Sequence, residues 1–237
     1  MPSPGNQAGT QHNQDSPHRP GQHESRPIRQ AGQGPGTARQ QDLRRYPATP
    51  AKQQRIAVVI GSTRPTRICA GIAAWACEAI GKDSELRYEL LDLAEAGLPF
   101  LDEPLKAALG DYKHDHTRAW SRTVQSYDGF LFVFPQYNWG YPAVLKNALD
   151  YLYREWRDKP ASFITYGTRG GIKAAEQFTG VLQGLRMRVL DHAEAFIIDD
   201  DVDEDWQLKD IRATLRPVLP ALAAIDFQMT EALDDAQ

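Results

Sequence analysis

The sequence predicts an α/β fold: a doubly wound, five-stranded parallel sheet in the order 2-1-3-4-5, with helices on both faces. Two observations carry that prediction. Short apolar runs of about five or six residues alternate with helical patterns of about ten or more, which implies βαβ units and a parallel sheet. The three least ordinary loops also follow the first, third and fourth runs, where a sheet of that order opens its ligand crevice. Right-handed crossovers leave few other topologies.

The elements follow in order. Residues 1–53 are rich in Pro, Gly, Gln, Ser, His and Arg and nearly devoid of apolar side chains before Leu43 and Tyr46. Such a stretch cannot offset its ordering entropy by burial, so a disordered tail is expected there, followed by one domain over 54–237. The tail reads as solvated, with a basic interaction arm or a degraded targeting sequence as alternatives. IAVVI (56–60) is an unbroken β-branched run, the mark of a strand buried on both faces. GSTRPTRI follows, then a helical pattern over 68–80 and a second strand, RYELLDL (87–93). A long irregular connection leads to Thr117 as the expected N-cap of a helix over 117–126. GFLFVF (129–134) is the third strand, PQYNWGY the loop after it, and 142–155 the next helix. ASFITY (161–166), GTRGG and a helix over 173–185 follow. The last strand is MRVLD (187–191), joined or continued by AFII (195–198). An acidic run, DDDVDED, precedes a helical region interrupted by Pro217 and Pro220.

Bulk properties narrow the function classes. With 237 residues, the chain is long enough to bury a core without staples. Its net charge of −4 argues against nucleic-acid binding, which favours a basic face. No run approaches the ~18 apolar residues of a membrane span, and no apolar leader opens the chain. Cys69 and Cys77 fall on one predicted helix, roughly 12 Å apart at about 1.5 Å per residue, too far to pair. A reducing, cytoplasmic setting is expected, with the thiols as core filler or, alternatively, as reactive groups.

The three loops carry the chemistry. In GSTRPTRI (61–68), Gly61 permits a sharp turn, Ser62 and Thr63 offer hydroxyls, and a helix start offers free N–H groups. Arg64 and Arg67 suit a phosphate monoester. Neither the Walker pattern nor the dinucleotide fingerprint is present. An ordinary Gly-Ser turn with two solvent arginines is the alternative. In GTRGG (167–171), three glycines permit close approach to a flat ligand, although glycine turns also simply join strands to helices. In PQYNWGY (135–141), Pro135 ends the strand and Pro142 opens the helix. Tyr137, Trp139 and Tyr141 supply aromatic faces between them, for a planar ligand or for a subunit contact. A phosphate cradle beside an aromatic, glycine-edged slot has the shape of flavin mononucleotide (FMN).

These residues resemble the NAD(P)H-dependent FMN reductases, a flavodoxin-like family that includes quinone, azo-dye and chromate reductases. GSTRPTR resembles the family's phosphate loop. PQYNWGYPAVLKNALDYLYREW resembles its P-E-Y-N-x-x-x-P-x-x-L-K-N-A-x-D motif, with Gln136 where Glu is usual, and YGTRGG its third flavin loop. LPFLDEP (98–104) is similar to a segment these proteins carry after strand 2. The resemblance covers about residues 54–200. It implies that Ser62, Arg64, Arg67 and Ile68 hold the FMN phosphate, that Pro135, Gln136, Tyr137 and Asn138 line the isoalloxazine, and that Gly167, Thr168, Gly170 and Gly171 meet its pyrimidine edge. Trp139 and Tyr141 are the expected substrate-stacking residues. It also implies a homodimer, or a dimer of dimers, with ALDYLYREW at the contact.

The implied activity is ping-pong transfer of hydride from NADPH or NADH to bound FMN, then of electrons to a quinone or similar small acceptor. No catalytic side chain is expected beyond the flavin, because the cofactor carries the chemistry. A flavodoxin-type electron carrier and a redox-regulated FMN-binding partner protein are the alternatives. His114 and His116 read as solvated rather than metal-bound. DDDVDED lacks the spacing of a calcium loop, and no metal is expected. Asp92 at the end of strand 2 is discounted as a ribose-binding acid, because the glycine fingerprint is absent.

Overall fold

A computed structural model of the protein describes residues 53–235. The tail expected over 1–53 therefore lies outside the described residues except for its last position.

The five strands β1 (Arg55–Ile60), β2 (Arg87–Asp92), β3 (Gly129–Pro135), β4 (Pro160–Gly167) and β5 (Arg188–Val189) stand in the order β2-β1-β3-β4-β5. Every pairing is parallel, as the alternating pattern predicts. A sixth strand, β6 (Ala193–Phe196), also pairs with β4. The expected final strand is thus broken in two. β5 pairs with Pro160 and Ala161, β6 with Ile164 to Gly167. Ser162 Oγ donates to the Asp191 carbonyl at 2.6 Å and fills the interruption.

Side-chain alternation splits the core into two layers. Ile56, Val58, Ile60, Leu131 and Val133 face α1 (Cys69–Gly81) and the C-terminal helices, while Ala57, Val59, Phe130, Phe132 and Phe134 face the other side. α1 buries Cys69, Ile72, Ala73, Ala76 and Ile80 at helical spacing, which turns one apolar stripe onto the sheet. The second layer is aromatic. Phe178 sits 4.6 Å from Phe134 and 5.2 Å from Phe132, and Trp156 sits 5.0 Å from Phe130, all centroid to centroid. Each fully buried side chain of this size stabilises the fold by roughly 1.5–3 kcal/mol.

Three expectations are corrected. The helix expected to begin behind Thr117 starts earlier, as α3 (Asp115–Gln125), and its entry is bound from outside. After the short α2 (Leu93–Ala96), the chain reaches Glu103, whose carboxylate accepts from the N–H groups of Lys113 and His114. Sequence spacing gives no hint of these bonds, which join residues 10 and 11 positions apart just ahead of the helix.

The helix expected over 142–155 stops at Asp150, as α4 (Ala143–Asp150). Tyr151, Leu152 and Trp156 are all at most 1% exposed, and Trp156 Nε1 donates to the Leu149 carbonyl at 3.2 Å. Burying that indole beside Phe130 needs the chain to turn, and the core outweighs helix continuation. Most of ALDYLYREW is therefore interior rather than contact surface.

The third correction is partial: after α5 (Ile172–Gly184), the C-terminal helical region is interrupted at Pro217, as expected, but not at Pro220. α6 (Ile211–Leu215) passes through a 3₁₀ turn at Arg216–Val218 into α7 (Leu219–Asp234), and Pro220 sits in the first turn, where its missing N–H costs nothing.

Register places the crevice. Ile60 pairs with Val133 and with Asp92, and Pro135 pairs with Tyr166. The loops after β1, β3 and β4 therefore leave the sheet side by side, with Asp92 on the flank.

Candidate functional site

The first loop is drawn against β3. Gly61 N–H donates to the Val133 carbonyl at 2.8 Å, and a Cβ on Gly61 would stand 2.9 Å from that same oxygen. Only glycine allows the approach. Ser62 is fully buried, and its Oγ lies 2.9 Å from the Tyr137 hydroxyl, joining the first loop to the second. Arg64 is exposed and has no carboxylate partner among the described residues. Arg67 is differently placed: Nη1 donates to the Ser62 carbonyl at 2.9 Å and Nη2 to Asp92 Oδ2 at 2.5 Å. Both ends of its fork are committed within the protein. Ile68 is half-buried at the entry to α1. Among the described residues, the N–H groups of Thr63, Thr66, Ile68 and Cys69 meet no acceptor, so the positive end of α1 is open.

The second loop closes on itself. Tyr137 and Gly140 exchange N–H···O bonds of 2.8 and 3.0 Å, and the two residues between them, Asn138 and Trp139, have φ of +44° and +73°. Paired positive φ values mark a type I′ hairpin turn, which Asn tolerates and Trp does not favour. Trp139 is held 63% exposed at the tip, and Gln177 Nε2 donates to its carbonyl at 3.1 Å. Tyr141 does not join the exposed aromatics. Its ring meets Phe178 at 5.2 Å and Phe134 at 6.3 Å, as an outer layer of the aromatic core, and burial pushes its hydroxyl up to about 12.

Gln136 stitches the second loop to the third. Its N–H donates to the Tyr166 carbonyl at 3.0 Å, and Oε1 accepts from the N–H groups of Lys173 and Ala174 at 3.0 and 3.2 Å. α5 begins behind Gly171, which has no side chain to cap it, so Gln136 serves as the cap from another loop. Within the third loop Gly170 and Gly171 take φ of +67° and +79°, and Thr168 is exposed. A Cβ on Gly171 would lie 2.2 Å from Thr165 Oγ1, and one on Gly170 would lie 3.0 Å from the Phe196 ring.

Beneath the loops, Cys69 Sγ donates to the Val133 carbonyl at 3.1 Å, and burial pushes the thiol up to about 11. Cys77 is raised likewise by burial, again to about 11. Burial pushes the Tyr166 hydroxyl upward too, with Cys69 beside it. Both cysteines are free and pack in the α1 layer, the filler reading of the sequence.

The structure thus gathers Ser62, Arg64, Arg67, Ile68, Pro135 to Trp139 and the third-loop glycines on one rim, and turns Tyr141 away. Gln177 and Phe196 belong to the same rim and left no signal in the sequence, while Asp92, noted at the end of strand 2 and discounted there as a ribose-binding acid, joins the rim through Arg67. The weaker signals lie elsewhere: His116 Nε2 is 2.9 Å from Asp102 Oδ1, pinning the irregular segment, and no group of metal-ligating side chains occurs among the described residues.

A doubly wound sheet whose switch point carries an open helix N-terminus, an aromatic turn and a glycine loop is the ligand crevice of a nucleotide-binding class of α/β protein. The sequence profile described as NADPH-dependent FMN reductase matches residues 54–200. The chain belongs to that family, a class of NAD(P)H-driven flavin oxidoreductases. It is 42% identical over 149 residues to an NAD(P)H-dependent FMN reductase of Schizosaccharomyces pombe, covering 62% of this chain and 74% of that one. It is 31% identical over 188 residues to a probable NADPH:quinone oxidoreductase of Oryza sativa subsp. japonica, covering 74% and 93%. Among solved structures, the flavoenzyme FerB of Paracoccus denitrificans superposes with a TM-score of 0.59 at 20% identity, covering 76% of this chain and 98% of that one, a likeness of fold.

Proposed function

We propose that this protein is an NAD(P)H-dependent reductase that holds FMN in the crevice above β1, β3 and β4 and delivers electrons to a quinone or similar small flat acceptor. The observation that carries this reading is the meeting of an open, positively polarised helix end and an aromatic, glycine-edged slot on one rim. The donor set fits a phosphate monoester: N–H groups at Thr63, Thr66, Ile68 and Cys69 and the guanidinium of Arg64, none of them with an acceptor among the described residues.

Ser62, Arg64 and Ile68 hold the phosphate end. Arg67 fixes the loop from behind, through the Ser62 carbonyl. Pro135, Gln136, Tyr137 and Asn138 line the ring, and Gly167, Thr168, Gly170 and Gly171 approach its pyrimidine edge. When bound, FMN supplies the redox chemistry, accepting hydride from NADPH or NADH and releasing two electrons to the acceptor. The chain binds, orients and shields. Trp139, exposed on a rigid turn, stacks against whichever flat substrate is present. One face serves both substrates, so they bind in turn.

The exposed apolar side chains Phe100, Leu101 and Trp139 border a groove lined by Tyr141, Lys146, Asn147, Asp150 and Gln177. A second copy of the chain covers this face in a homodimer, or in a dimer of dimers. Among the described residues no helix is long and apolar enough to cross a membrane.

The test is the absorption spectrum of the purified protein and its anaerobic bleaching by NADH or NADPH, followed by turnover with a quinone. A yellow protein that bleaches and turns over supports the reading and excludes a passive electron carrier. Protein that takes up no FMN overturns it.

A further inference from the structure

We propose that Lys159 is a site of covalent acylation, an amine on the wall of a basic groove that reacts with small acyl phosphates. The inference stands apart from the FMN reading, because the groove lies at the amino end of β4, away from the crevice.

Lys159 directly precedes β4, and its side chain crosses to the end of α3. Nζ donates to the Val124 and Tyr127 carbonyls at 2.8 and 2.6 Å, with the Phe130 ring centroid 5.5 Å away. Lys146 and Lys173 each pair with a carboxylate, whereas Lys159 meets only these two acceptors among the described residues. Two acceptors suit a neutral amine, which has two N–H donors and a lone pair. An ammonium would keep a third donor without a partner. Burial pushes the amine from 10.5 down to about 8, against Asp128 and Glu155, which favour the charged form. A lysine desolvated in this way is a nucleophile near neutral pH.

The groove selects the electrophile. It measures about 490 Å³ and is lined by Gly110, Gln125, Arg154, Glu155, Arg157 and Lys159. The carboxylate among them is engaged within the protein, since Glu155 accepts from Tyr112 at 2.9 Å and from Ser121 at 2.7 Å. Among the described residues Arg154 uses only Nε, toward the Ala108 carbonyl, and Arg157 stands 3.7 Å from Asp158. Two guanidiniums beside an uncharged amine suit an electrophile that carries its own negative charge. In the step, Nζ adds to the carbonyl carbon of the acyl phosphate and forms the amide C–N bond. The acyl C–O bond breaks, inorganic phosphate leaves with its electron pair, and the surplus amine proton passes to water. The amide keeps one N–H for two carbonyls, so acylation loosens the end of α3.

The test treats the full-length protein with acetyl phosphate near neutral pH and follows each lysine by peptide mass spectrometry. Lys159 should be acetylated about tenfold faster than the exposed Lys106, and its rate should level off above pH 8. Inorganic phosphate, at constant ionic strength, should slow that reaction at Lys159 and leave the reaction with an uncharged acetyl ester unchanged. In the variant R154Q/R157Q this phosphate effect should vanish. A Lys159 rate at or below that of Lys106 with acetyl phosphate overturns the proposal, and the uncharged ester then shows whether the amine or the groove is at fault. Phosphate that slows neither reagent, or both alike, overturns the groove as an acyl phosphate site. Its persistence in R154Q/R157Q overturns the part given to the two arginines.

Discussion

Arg67 Nη2 stands 2.5 Å from Asp92 Oδ2, and the other arm of the same guanidinium holds the Ser62 carbonyl at 2.9 Å. The pair runs from the end of β2 to the loop after β1 and is mostly buried, with side-chain exposures of 19% and 15%. Asp92 Oδ1 also accepts the Ala94 N–H and so caps α2. Removing one partner leaves a charge largely out of water. Asp92→Ala and Arg67→Ala should each cost about 1–3 kcal/mol of stability. Both should weaken FMN binding more than riboflavin binding, because they hold the loop proposed for the phosphate. Equal losses for the two ligands, by fluorescence titration, would count against a phosphate role for this loop.

Trp139 occupies a left-handed position that costs roughly 1–2 kcal/mol for a residue with a side chain. Nothing buried repays that cost, since the indole is mostly exposed. Trp139→Gly should therefore leave the denaturation midpoint unchanged or higher. It should also raise KM for the quinone or for NAD(P)H. A variant that loses stability while keeping wild-type kinetics would show the indole to be structural.

Gly171→Ala brings both penalties together, a φ of +79° and a Cβ 2.2 Å from Thr165 Oγ1. The expected loss is above about 2 kcal/mol by chemical denaturation. Adding Thr165→Ala removes the clash but not the backbone strain, so the double variant should recover only part of the loss.

The two thiols set an alkaline limit. Each is raised by burial from the ordinary 9.0 to about 11. A raised folded value means that the unfolded chain gives up the proton first. The contribution to stability is whole below pH 9.0 and is lost as pH rises towards 11. Tyr141 and Tyr151, each raised by burial to about 12, add to the decline from pH 10.0 upward. Denaturation midpoints should fall steadily above pH 9.0, and alkylation of the native thiols at pH 8 should be slower than in the unfolded chain, most of all at the fully buried Cys69.

Much of the architecture was legible in the residues. IAVVI and GFLFVF read as strands buried on both faces because both of their faces are apolar, and helical spacing exposed the sheet-facing stripe of α1. The glycines of the third loop marked it as unusual, and the structure shows why two of them are needed, since Gly170 and Gly171 take left-handed backbone. The end of α4 was not legible. Local propensity carries YLYREW onward as helix, while burial of Trp156 stops it at Asp150. Tyr141 reads as one aromatic among three in the loop, and only packing against Phe178 turns it inward.

Local sequence determined which segments are strands, which loops carry unusual chemistry, and that those loops follow β1, β3 and β4, because periodicity and backbone freedom are properties of neighbouring residues. Tertiary structure decided what each side chain does there. Arg67 binds Asp92, Gln136 caps α5 and Tyr137 reaches Ser62. Those partners lie 25 to 75 residues apart, and only the assembled sheet, by register, brings their hydrogen-bonding groups within reach.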